Sequence, residues 1–220
     1  MIRLEEVSKI YPGRNGQVKA LDRIQLNVKE KEFVVVRGPS GSGKSTLLLT
    51  LGGMLRPTQG AVWIGEQDVY KFSGKERAEF RAQNVGFVFQ MFHLIPYLTV
   101  WENVAAAAGK SVTASIRKDS LSLLEGLGLS HRVSHKPSEL SAGEKQRTAI
   151  ARALLNKPKI ILADEPTGNL DPDNAHEVLQ HLSSFHQNGG TLLMVTHGKD
   201  ADPYADRIVY LRDGAVVESN

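Results

Sequence analysis

The sequence predicts an α/β protein with a parallel β-sheet at its centre and an antiparallel sheet built from the N-terminal third. Residues 33–36, 160–163 and 191–196 are short apolar runs, which is typical of strands buried on both faces of a parallel sheet. Segments of helical pattern lie between these runs, so we expect right-handed strand–helix–strand crossovers. Residues 2–7 and 18–28 alternate apolar and polar side chains, which predicts antiparallel strands at one edge.

The remaining elements follow from local signals along the chain. Ser141 stands three residues before Glu144, a spacing typical of a capping box that starts a helix, and Thr99 and Glu102 repeat it. The dipeptide Asp213-Gly214 between two β-like runs indicates a two-residue hairpin turn. We therefore expect helices over residues 44–51, 99–108, 120–127, 141–156 and 173–187, and further strands over residues 61–64, 85–89, 207–212 and 215–218.

Composition indicates a globular protein and limits the classes of partner that it can bind. The 220 residues carry a formal net charge of +3, from 27 Lys and Arg against 24 Asp and Glu, and 41% are hydrophobic. That balance favours a folded core and argues against a dedicated nucleic-acid binder. The sequence contains no cysteine, which excludes disulfides, thiolate metal sites and cysteine nucleophiles and fits a reducing compartment.

Neither a signal peptide nor a membrane span is predicted. Glu5 and Glu6 stand where a signal peptide needs an apolar run. Residues 82–101 contain no Asp, Glu, Lys or Arg, but polar residues and Pro96 divide their apolar side chains into short clusters, whereas a spanning helix needs about 20 predominantly apolar residues. We therefore expect any work at a membrane to go through a partner protein, without direct membrane insertion.

A glycine-rich segment after the first buried run has the spacing of a phosphate-binding loop. The pattern G-x-x-x-x-G-K-[ST] begins at Gly38, directly follows a predicted strand and opens a predicted helix. Glycines let backbone N–H groups wrap around phosphate, a lysine adds a cation, and a serine hydroxyl can ligate Mg²⁺. An ordinary Gly/Ser turn is the alternative, and the strand–loop–helix context argues against it. The predicted phosphate ligands are Gly38, Pro39, Ser40, Gly41, Ser42, Gly43, Lys44, Ser45 and Thr46.

Two carboxylates follow the second buried run. Asp164 stands at its end, where it can hold Mg²⁺ together with Ser45. Glu165 comes next and points away from Asp164 if the strand geometry persists. A carboxylate beside the ion that is not its main ligand suits a general base for an attacking water. The alternative is that this segment only ends a strand and starts a loop.

A segment about a hundred residues after Lys44 carries a narrower resemblance. Leu140-Ser141-Ala142-Gly143-Glu144 resembles the Leu-Ser-Gly-Gly-Gln signature of the ATP-binding cassette (ABC) ATPase family, and it precedes the Asp-Glu strand as in that family. Other positions match in the family's order, namely Tyr11 (an aromatic that stacks on adenine), Gln90 (the glutamine loop), Gly168-Asn169-Leu170-Asp171 (the D-loop) and His197 (the switch histidine).

The resemblance implies a fold and a set of site residues along nearly the whole chain. The fold would be a single domain, in which residues 1–89 and 157–220 form a P-loop NTPase (RecA-like) core with an antiparallel β subdomain and residues 90–156 form an inserted helical subdomain. ATP and Mg²⁺ would be bound. The implied catalytic residues are Glu165, His197, Gln90 and Lys44, the implied metal ligands are Ser45, Gln90 and Asp164, and the implied further ATP contacts are Tyr11, Ser141, Gly143, Glu144 and Asp171.

The resemblance also implies that two copies of the chain share each ATP. Ser141 and Gly143 at a helix N-terminus form a second anion site, and in the family this segment serves the γ-phosphate of the other subunit. Two ATP molecules would be held in a two-fold dimer that ATP closes and hydrolysis reopens. Each position keeps an ordinary alternative: a strand-end amide for Gln90, a solvated or capping side chain for His197, loop chemistry for Tyr11 and a helix cap for Asp171.

Two positions depart from the family pattern. Ala142 replaces the first signature glycine, which would cost about 1 kcal/mol or more at a positive φ and nothing in the first turn of a helix. Capping by Ser141 favours the helical case. Gly198 follows His197 where the family often has Asp, which removes a possible partner for the neighbouring subunit's loop.

A branch within the family is also indicated. Asp164-Glu165-Pro166-Thr167-Gly168 and residues 92–104 are similar to lipoprotein-releasing (LolD-type), macrolide-efflux (MacB-type) and cell-division (FtsE-type) ATPases, as is Lys136-Pro137. The chain ends about where the ATPase domain is complete, so the resemblance implies a separate permease, gripped through the apolar stretch from Gln90 to Trp101. The alternative is that these side chains belong to the core of the helical subdomain.

The expected function is an ATP-hydrolysing subunit that energises an ABC transporter, of export, lipoprotein-release or mechanotransmission type, at the cytoplasmic side of the inner membrane. The first alternative is a non-transport ABC ATPase that acts on nucleic acid or a regulatory partner, which usually needs long insertions or two cassettes in one chain. The second is a P-loop kinase or GTPase, which gives no reason for Ser141 and His197. The sequence does not specify the transported substrate.

Overall fold

Two β-sheets and six α-helices make up residues 1–13, 16–109 and 111–219, the part of the chain that the computed structural model describes. The strands are β1 (Ile2–Gly13), β2 (Gly16–Val28), β3 (Phe33–Arg37), β4 (Gln59–Ile64), β5 (Gln67–Asp68), β6 (Val85–Phe89), β7 (Ile160–Asp164), β8 (Thr191–Thr196), β9 (Arg207–Arg212) and β10 (Ala215–Ser219). The α-helices are α1 (Lys44–Leu51), α2 (Gly74–Asn84), α3 (Val100–Ala105), α4 (Ala114–Gly126), α5 (Ala142–Leu154) and α6 (Pro172–Gln187).

The central sheet has six strands in the order β10-β9-β3-β8-β7-β6. Its five strands from β9 to β6 run parallel, and β10 pairs antiparallel with β9. Every residue of β8 is buried, as are the first four residues of β3 and β7, because helices and a second sheet cover both faces. The predicted parallel core is therefore confirmed.

The second sheet is antiparallel and has the order β2-β1-β4-β5. Ile2, Leu4 and Val7 of β1 are buried, and they pack with Leu47, Leu48 and Leu51 of α1 in the same hydrophobic cluster. The register of β1 against β2 shifts between Leu4 and Val7, where Glu6 has a φ of 49°. This is the antiparallel β subdomain that the alternating pattern predicts, and it covers one face of the central sheet.

Local signals identified most of the α-helices and strands but missed one of each. The two-residue hairpin turn at Asp213-Gly214 is as predicted, and both of its residues have positive φ. The helix expected over residues 99–108 ends at Ala105 and continues as a 3₁₀ turn over Ala106–Ala108. Helix α2 was missed because none of its residues is buried, so it has no apolar periodicity, and β5 was missed because it has only two residues.

Helices α3, α4 and α5 pack on one another in the region 90–156 expected to be helical. Val104, Leu124 and Ile150 lie in a hydrophobic cluster that also contains Phe33 and Ile161 of the central sheet. We propose residues 90–156 as a helical subdomain that shares its core with the rest of the domain. No helix in the described part of the chain is long and apolar enough to cross a membrane.

Candidate functional site

The glycine-rich loop connects β3 to α1 in a conformation that requires its glycines. Gly41 and Gly43 have φ values of 79° and 102°, which L side chains rarely adopt. A side chain at Gly43 would also collide with the carbonyl oxygen of Ala20, and one at Gly38 with that of Leu211. Since Ala20 belongs to β2 and Leu211 to β9, both sheets hold the loop in shape.

Lys44 is folded back onto this loop. Its Nζ donates hydrogen bonds to the carbonyl oxygens of Gly38 at 2.8 Å and Pro39 at 3.1 Å. The same Nζ lies 3.6 Å from Oε1 of Glu165. The side chain is only 8% exposed, so the loop surrounds a nearly buried cation. This is the arrangement expected of a loop that binds phosphate.

Ser45 and Asp164 meet beside the loop, although 119 positions separate them in sequence. The Ser45 hydroxyl donates a hydrogen bond of 3.2 Å to Oδ1 of Asp164, which ends strand β7. Burial and the charge of Glu165 raise the pKa of Asp164, against the opposing effects of the Ser45 hydroxyl and the Lys44 ammonium. Two hard oxygen donors are thus brought together, as predicted for a Mg²⁺ site.

Glu165 leaves the strand geometry of β7 immediately. Its φ is 45°, a left-handed value that is uncommon for a residue with a side chain, and its N–H donates to Val195 O at 2.9 Å. The turn directs the carboxylate to the end of β8, where Oε2 accepts hydrogen bonds from Thr196 Oγ1 at 3.1 Å and His197 Nδ1 at 2.9 Å. Asp164 and Glu165 therefore have different partners, because the chain turns between them. The sequence did not indicate this turn.

An arginine that sequence reasoning missed holds the segment after His197. Arg37 ends β3, and its Nε donates to the carbonyl oxygen of Gly198 at 3.1 Å. Its guanidinium also pairs with Asp202 and lies over the ring of Tyr210, 5.8 Å from the centroid. The residue directly before the phosphate loop is thus tied to the histidine segment. The only sequence signal was a charge at the end of an otherwise apolar strand.

Gln90 directly follows β6 and contacts the segment that comes after Glu165. Its Nε2 donates to Asn169 Oδ1 at 3.3 Å, and Asn169 Nδ2 donates to Gln90 O at 3.1 Å. Gly168 permits this approach, because a Cβ there would lie 2.7 Å from Gln90 Nε2. In this structure the Gln90 amide is therefore directed to Asn169 and not to the Ser45–Asp164 pair.

The signature-like segment begins helix α5 with a complete capping box. Ser141 Oγ accepts the N–H of Glu144 at 3.2 Å, and Glu144 Oε2 accepts the N–H of Ser141 at 2.8 Å. Ala142 is the first residue of the helix, so its side chain is harmless there. Glu144 Oε1 accepts a further hydrogen bond from Arg132 Nε at 2.7 Å. Both carboxylate oxygens are used within the chain, which argues against the expected contact of Glu144 with ATP.

Helix α6 touches the same segment. Asp171 caps α6 by accepting the N–H of Asn174 at 3.0 Å and its Nδ2–H at 2.7 Å. These hydrogen bonds lower the pKa of Asp171. Arg147 of α5 donates to Asn174 Oδ1 at 3.3 Å and pairs with Glu177, and a side chain at Gly143 would collide with Asn174. Asp171 therefore caps α6, its contact with a second copy stays a prediction, and Asn174 and Arg147 join the two helix starts.

Tyr11 lies near the distal end of β1. Its ring is 37% exposed, and Lys9 Nζ lies 5.1 Å from the ring centroid. Strand β1 pairs with β2, whose Ala20 packs against Gly43 of the phosphate loop. An exposed aromatic ring therefore stands on the sheet that contacts the loop.

Comparison with known protein families and sequences gives one consistent result. A family model described as ABC transporter matches residues 21–168. The uncharacterized ABC transporter ATP-binding protein YvrO of Bacillus subtilis is 44% identical over 99% of this chain and 96% of its own length. An uncharacterized ABC transporter ATP-binding protein of Methanocaldococcus jannaschii is 46% identical over 99% of this chain and 98% of its own length.

A longer relative and two solved structures extend the comparison. The macrolide export ATP-binding/permease protein MacB of Chlorobaculum tepidum is 43% identical over 99% of this chain, which spans 34% of that protein. A dimeric structure of MJ0796, a bacterial ABC transporter cassette, superimposes with a TM-score of 0.94 at 40% identity, covering 100% of this chain and 98% of that one. A post-hydrolysis state of MJ0796 bound to ADP and Pi gives a TM-score of 0.93 at 40% identity and the same coverage.

Proposed function

Because this chain belongs to the ABC transporter family and is an ATP-binding, ATP-hydrolysing cassette, we propose that ATP-dependent pairing of two copies drives a separate membrane permease. The observation that carries the proposal is the convergence of Lys44, Asp164, Glu165 and His197 at the ends of adjacent parallel strands. Oriented charges around one phosphate-binding loop are what hydrolysis of a phosphoanhydride requires.

Glu165 is the residue that we assign as general base. Its Oε2 is held by Thr196 and His197, and its Oε1 lies 3.6 Å from the Lys44 ammonium. A carboxylate fixed beside the cation that meets the γ-phosphate can take a proton from the water that attacks this phosphate. The products are ADP and inorganic phosphate. General base catalysis of this kind contributes about 10²–10⁴-fold to the rate.

Ser45 and Asp164 are the residues that we assign to Mg²⁺. A hydroxyl and a carboxylate are hard oxygen donors that fit an ion which keeps several waters and binds substrate phosphates. When bound, the ion would neutralise negative charge on the β- and γ-phosphates. Gln90 is proposed as a further ligand through Oε1, and its Nε2 donates to Asn169 in this structure.

The nucleotide contacts are proposed from the loop and from a second copy. The backbone of residues 38–46 would bind the phosphates, and Tyr11 would stack on adenine. No hydrogen bond among the described residues connects Ser141 or Gly143 to this loop. The signature segment would therefore bind the ATP of the other copy, with Asp171 near the interface. The dimeric structure at 40% identity supports this arrangement.

The permease contact is proposed at residues 90–101. Met91 is 68% exposed and Tyr97 75% exposed, whereas Val100 is buried, so the stretch divides into an outer surface and a part of the core. Arg152 donates to the carbonyl oxygens of Phe92 at 2.7 Å and His93 at 2.5 Å, which fixes the stretch to the C-terminal end of α5. The helix that Ser141 caps is thus hydrogen-bonded to the proposed permease contact.

The branch and the location rest on the relatives. The name of MacB states macrolide export and combines an ATP-binding part with a permease. The two ATP-binding relatives that match over 96% and 98% of their lengths support a permease on a separate chain. We propose an export-type transporter of the MacB/LolD/FtsE branch, with this chain held at the cytoplasmic face of the membrane by its permease. A nucleic-acid partner is less compatible with a net charge of +3.

The test is recovery of the permease from membranes. The tagged chain is purified from detergent extracts of membranes, and the proteins bound to it are identified by mass spectrometry. The native chain is compared with Tyr97→Asp and with the control Val112→Asp, whose site is 52% exposed. We expect a permease to be recovered with the native chain and with the control. It should be absent when the tagged chain carries Tyr97→Asp. Recovery of nucleic acid without a membrane protein would favour the alternative function.

A further inference from the structure

The segment of this chain that is proposed to bind the γ-phosphate of a second copy's ATP contains a carboxylate. Glu144 is the third residue of α5, in the segment where Ser141 and Gly143 are proposed to receive the phosphate of a second copy. The family signature has the neutral amide of glutamine at this position. Glutamine can complete a capping box as glutamate does, so the cap alone gives no reason for the charge.

The carboxylate of Glu144 is held by two donors and is 11% exposed. Oε2 accepts the N–H of Ser141 at 2.8 Å, and Oε1 accepts Nε of Arg132 at 2.7 Å. Burial alone would raise its pKa, but the hydrogen bonds from Ser141 and Arg132 outweigh burial and lower it. Glu144 is therefore ionised at neutral pH, and an incoming phosphate meets a negative charge at the helix start.

Arg132 approaches Glu144 from a different segment of the helical subdomain. It ends the 3₁₀ turn Ser130–Arg132 between α4 and α5, and its N–H donates to the carbonyl oxygen of Leu129 at 2.9 Å. Leu129 is fully buried, so the core fixes the base of the arginine. His131 Nε2 lies 3.7 Å from the same carboxylate, but its side chain is 65% exposed, against 33% for Arg132.

We propose that Arg132 is a positioning residue that neutralises Glu144 and so allows the Ser141 segment to accept the ATP of a second copy. This inference rests on the proposed ATP-dependent dimer. Without the guanidinium, the uncompensated carboxylate would repel the phosphate, and burial of the site in a closed dimer would enlarge this effect. The role of Arg132 therefore depends on the charge of Glu144.

The test is a double-variant cycle in the Glu165→Gln background, in which we expect ATP to stay unhydrolysed. The dimer dissociation constant with ATP is measured by sedimentation for Arg132→Gln, Glu144→Gln and the double variant, with Arg23→Gln at a 74% exposed site as the control. We expect Arg132→Gln to weaken the dimer by about tenfold, a usual size for coupling between sites. The double variant should dimerise as tightly as Glu144→Gln alone, and the affinity of the monomer for ATP should not change.

A merely structural role for Arg132 predicts a different pattern. The dimer would then weaken equally with Glu144 or Gln at position 144, and that result overturns the proposal. Arg132→Lys keeps the charge, so it should restore most of the dimer affinity that Arg132→Gln loses. This variant distinguishes the two roles even if Arg132→Gln lowers the Tm. Equal weakening by Lys and Gln also overturns it. Failure of the Glu165→Gln parent to dimerise would overturn the proposed dimer itself, whereas Ser141→Ala weakening without Arg132→Gln weakening would overturn only the role of Arg132.

Discussion

Glu165 accepts a hydrogen bond of 2.9 Å from Nδ1 of His197, across the ends of two adjacent parallel strands. Because an ionised carboxylate can only accept, this contact requires the proton of the neutral imidazole on Nδ1. The second ring nitrogen, Nε2, is then an acceptor in the neutral ring and a donor only in the protonated ring. The contact therefore ties the orientation of the imidazole to the carboxylate that we assign as the base.

Glu165→Gln should abolish turnover and preserve ATP binding. The amide keeps the size of the side chain and loses its basicity, so we expect the hydrolysis rate to fall by about 10²-fold or more. Single-turnover phosphate release and equilibrium ATP binding measure the two effects separately. Hydrolysis at the native rate would remove Glu165 from the role of base.

Arg37→Met should slow catalysis more than it weakens ATP binding. The change removes the hydrogen bond to Gly198 and the ion pair with Asp202, which hold the segment after His197. Misplacement of a catalytic segment commonly costs one to two orders of magnitude, so we expect kcat to fall by about tenfold with little change in KM. Steady-state phosphate release gives both values, and Arg23→Met is the exposed control. A raised KM with unchanged kcat would contradict this role.

Ser141→Ala and Ser73→Ala form a matched pair. Each serine caps a helix in a capping box, α5 and α2 respectively, so each change should cost about 1 kcal/mol of stability. Only Ser141→Ala should also impair hydrolysis, while its monomer keeps normal affinity for ATP. Denaturant unfolding, nucleotide titration and phosphate release separate these effects. A large loss of ATP affinity in the monomer would contradict action on the other copy's nucleotide.

Asp164→Asn should raise the Tm of the nucleotide-free protein at neutral pH. Burial chiefly raises the pKa of Asp164, so the folded chain binds this proton more tightly than the unfolded chain. The folded state then gains stability in acid and loses it as the pH rises through the raised pKa. Below about pH 4 the carboxyl is increasingly protonated in both states, so the gain from Asn should disappear there.

The measurement for Asp164→Asn is thermal unfolding by circular dichroism at neutral and at acidic pH, with the exposed Asp119→Asn as the control. An equal gain in Tm at both pH values would show that the cause is not the ionisation of Asp164. The same variant should lose hydrolysis, because a neutral amide is a poorer ligand for Mg²⁺ than a carboxylate.

Local features of this chain could be predicted from sequence. The phosphate loop, the capping box at Ser141 and the hairpin at Asp213-Gly214 depend on a few neighbouring residues and on the backbone conformations that glycine permits. Helix α2 also has a capping box, Ser73 with Glu76, but its apolar residues are few (Ala78, Phe80 and Ala82) and none is buried, so no apolar face confirmed it. A search for capping boxes independent of apolar periodicity would have found it.

Contacts between distant segments could not be predicted. Arg37 meets Gly198 across 161 positions and Arg207 meets Glu32 across 175, and neither partner has a local pattern that identifies the other. The turn at Glu165 was equally hidden, because its left-handed φ depends on the hydrogen bond to Val195 of the adjacent strand. These are tertiary constraints, and they orient the side chains whose identities the motifs specify.

Two carbonyl oxygens of the phosphate loop compete with an incoming phosphate for the ammonium of Lys44. The ammonium donates two of its three N–H groups to the carbonyl oxygens of Gly38 and Pro39, so an arriving phosphate must share or replace these acceptors to use the whole cation. A weakly charged anion offers little advantage over two carbonyl dipoles, whereas the polyphosphate of a nucleoside triphosphate offers several charged oxygens at once. We therefore expect the loop to favour densely charged anions whichever base they carry, and part of the affinity for a nucleotide to be the difference between the carbonyl and phosphate contacts of Lys44.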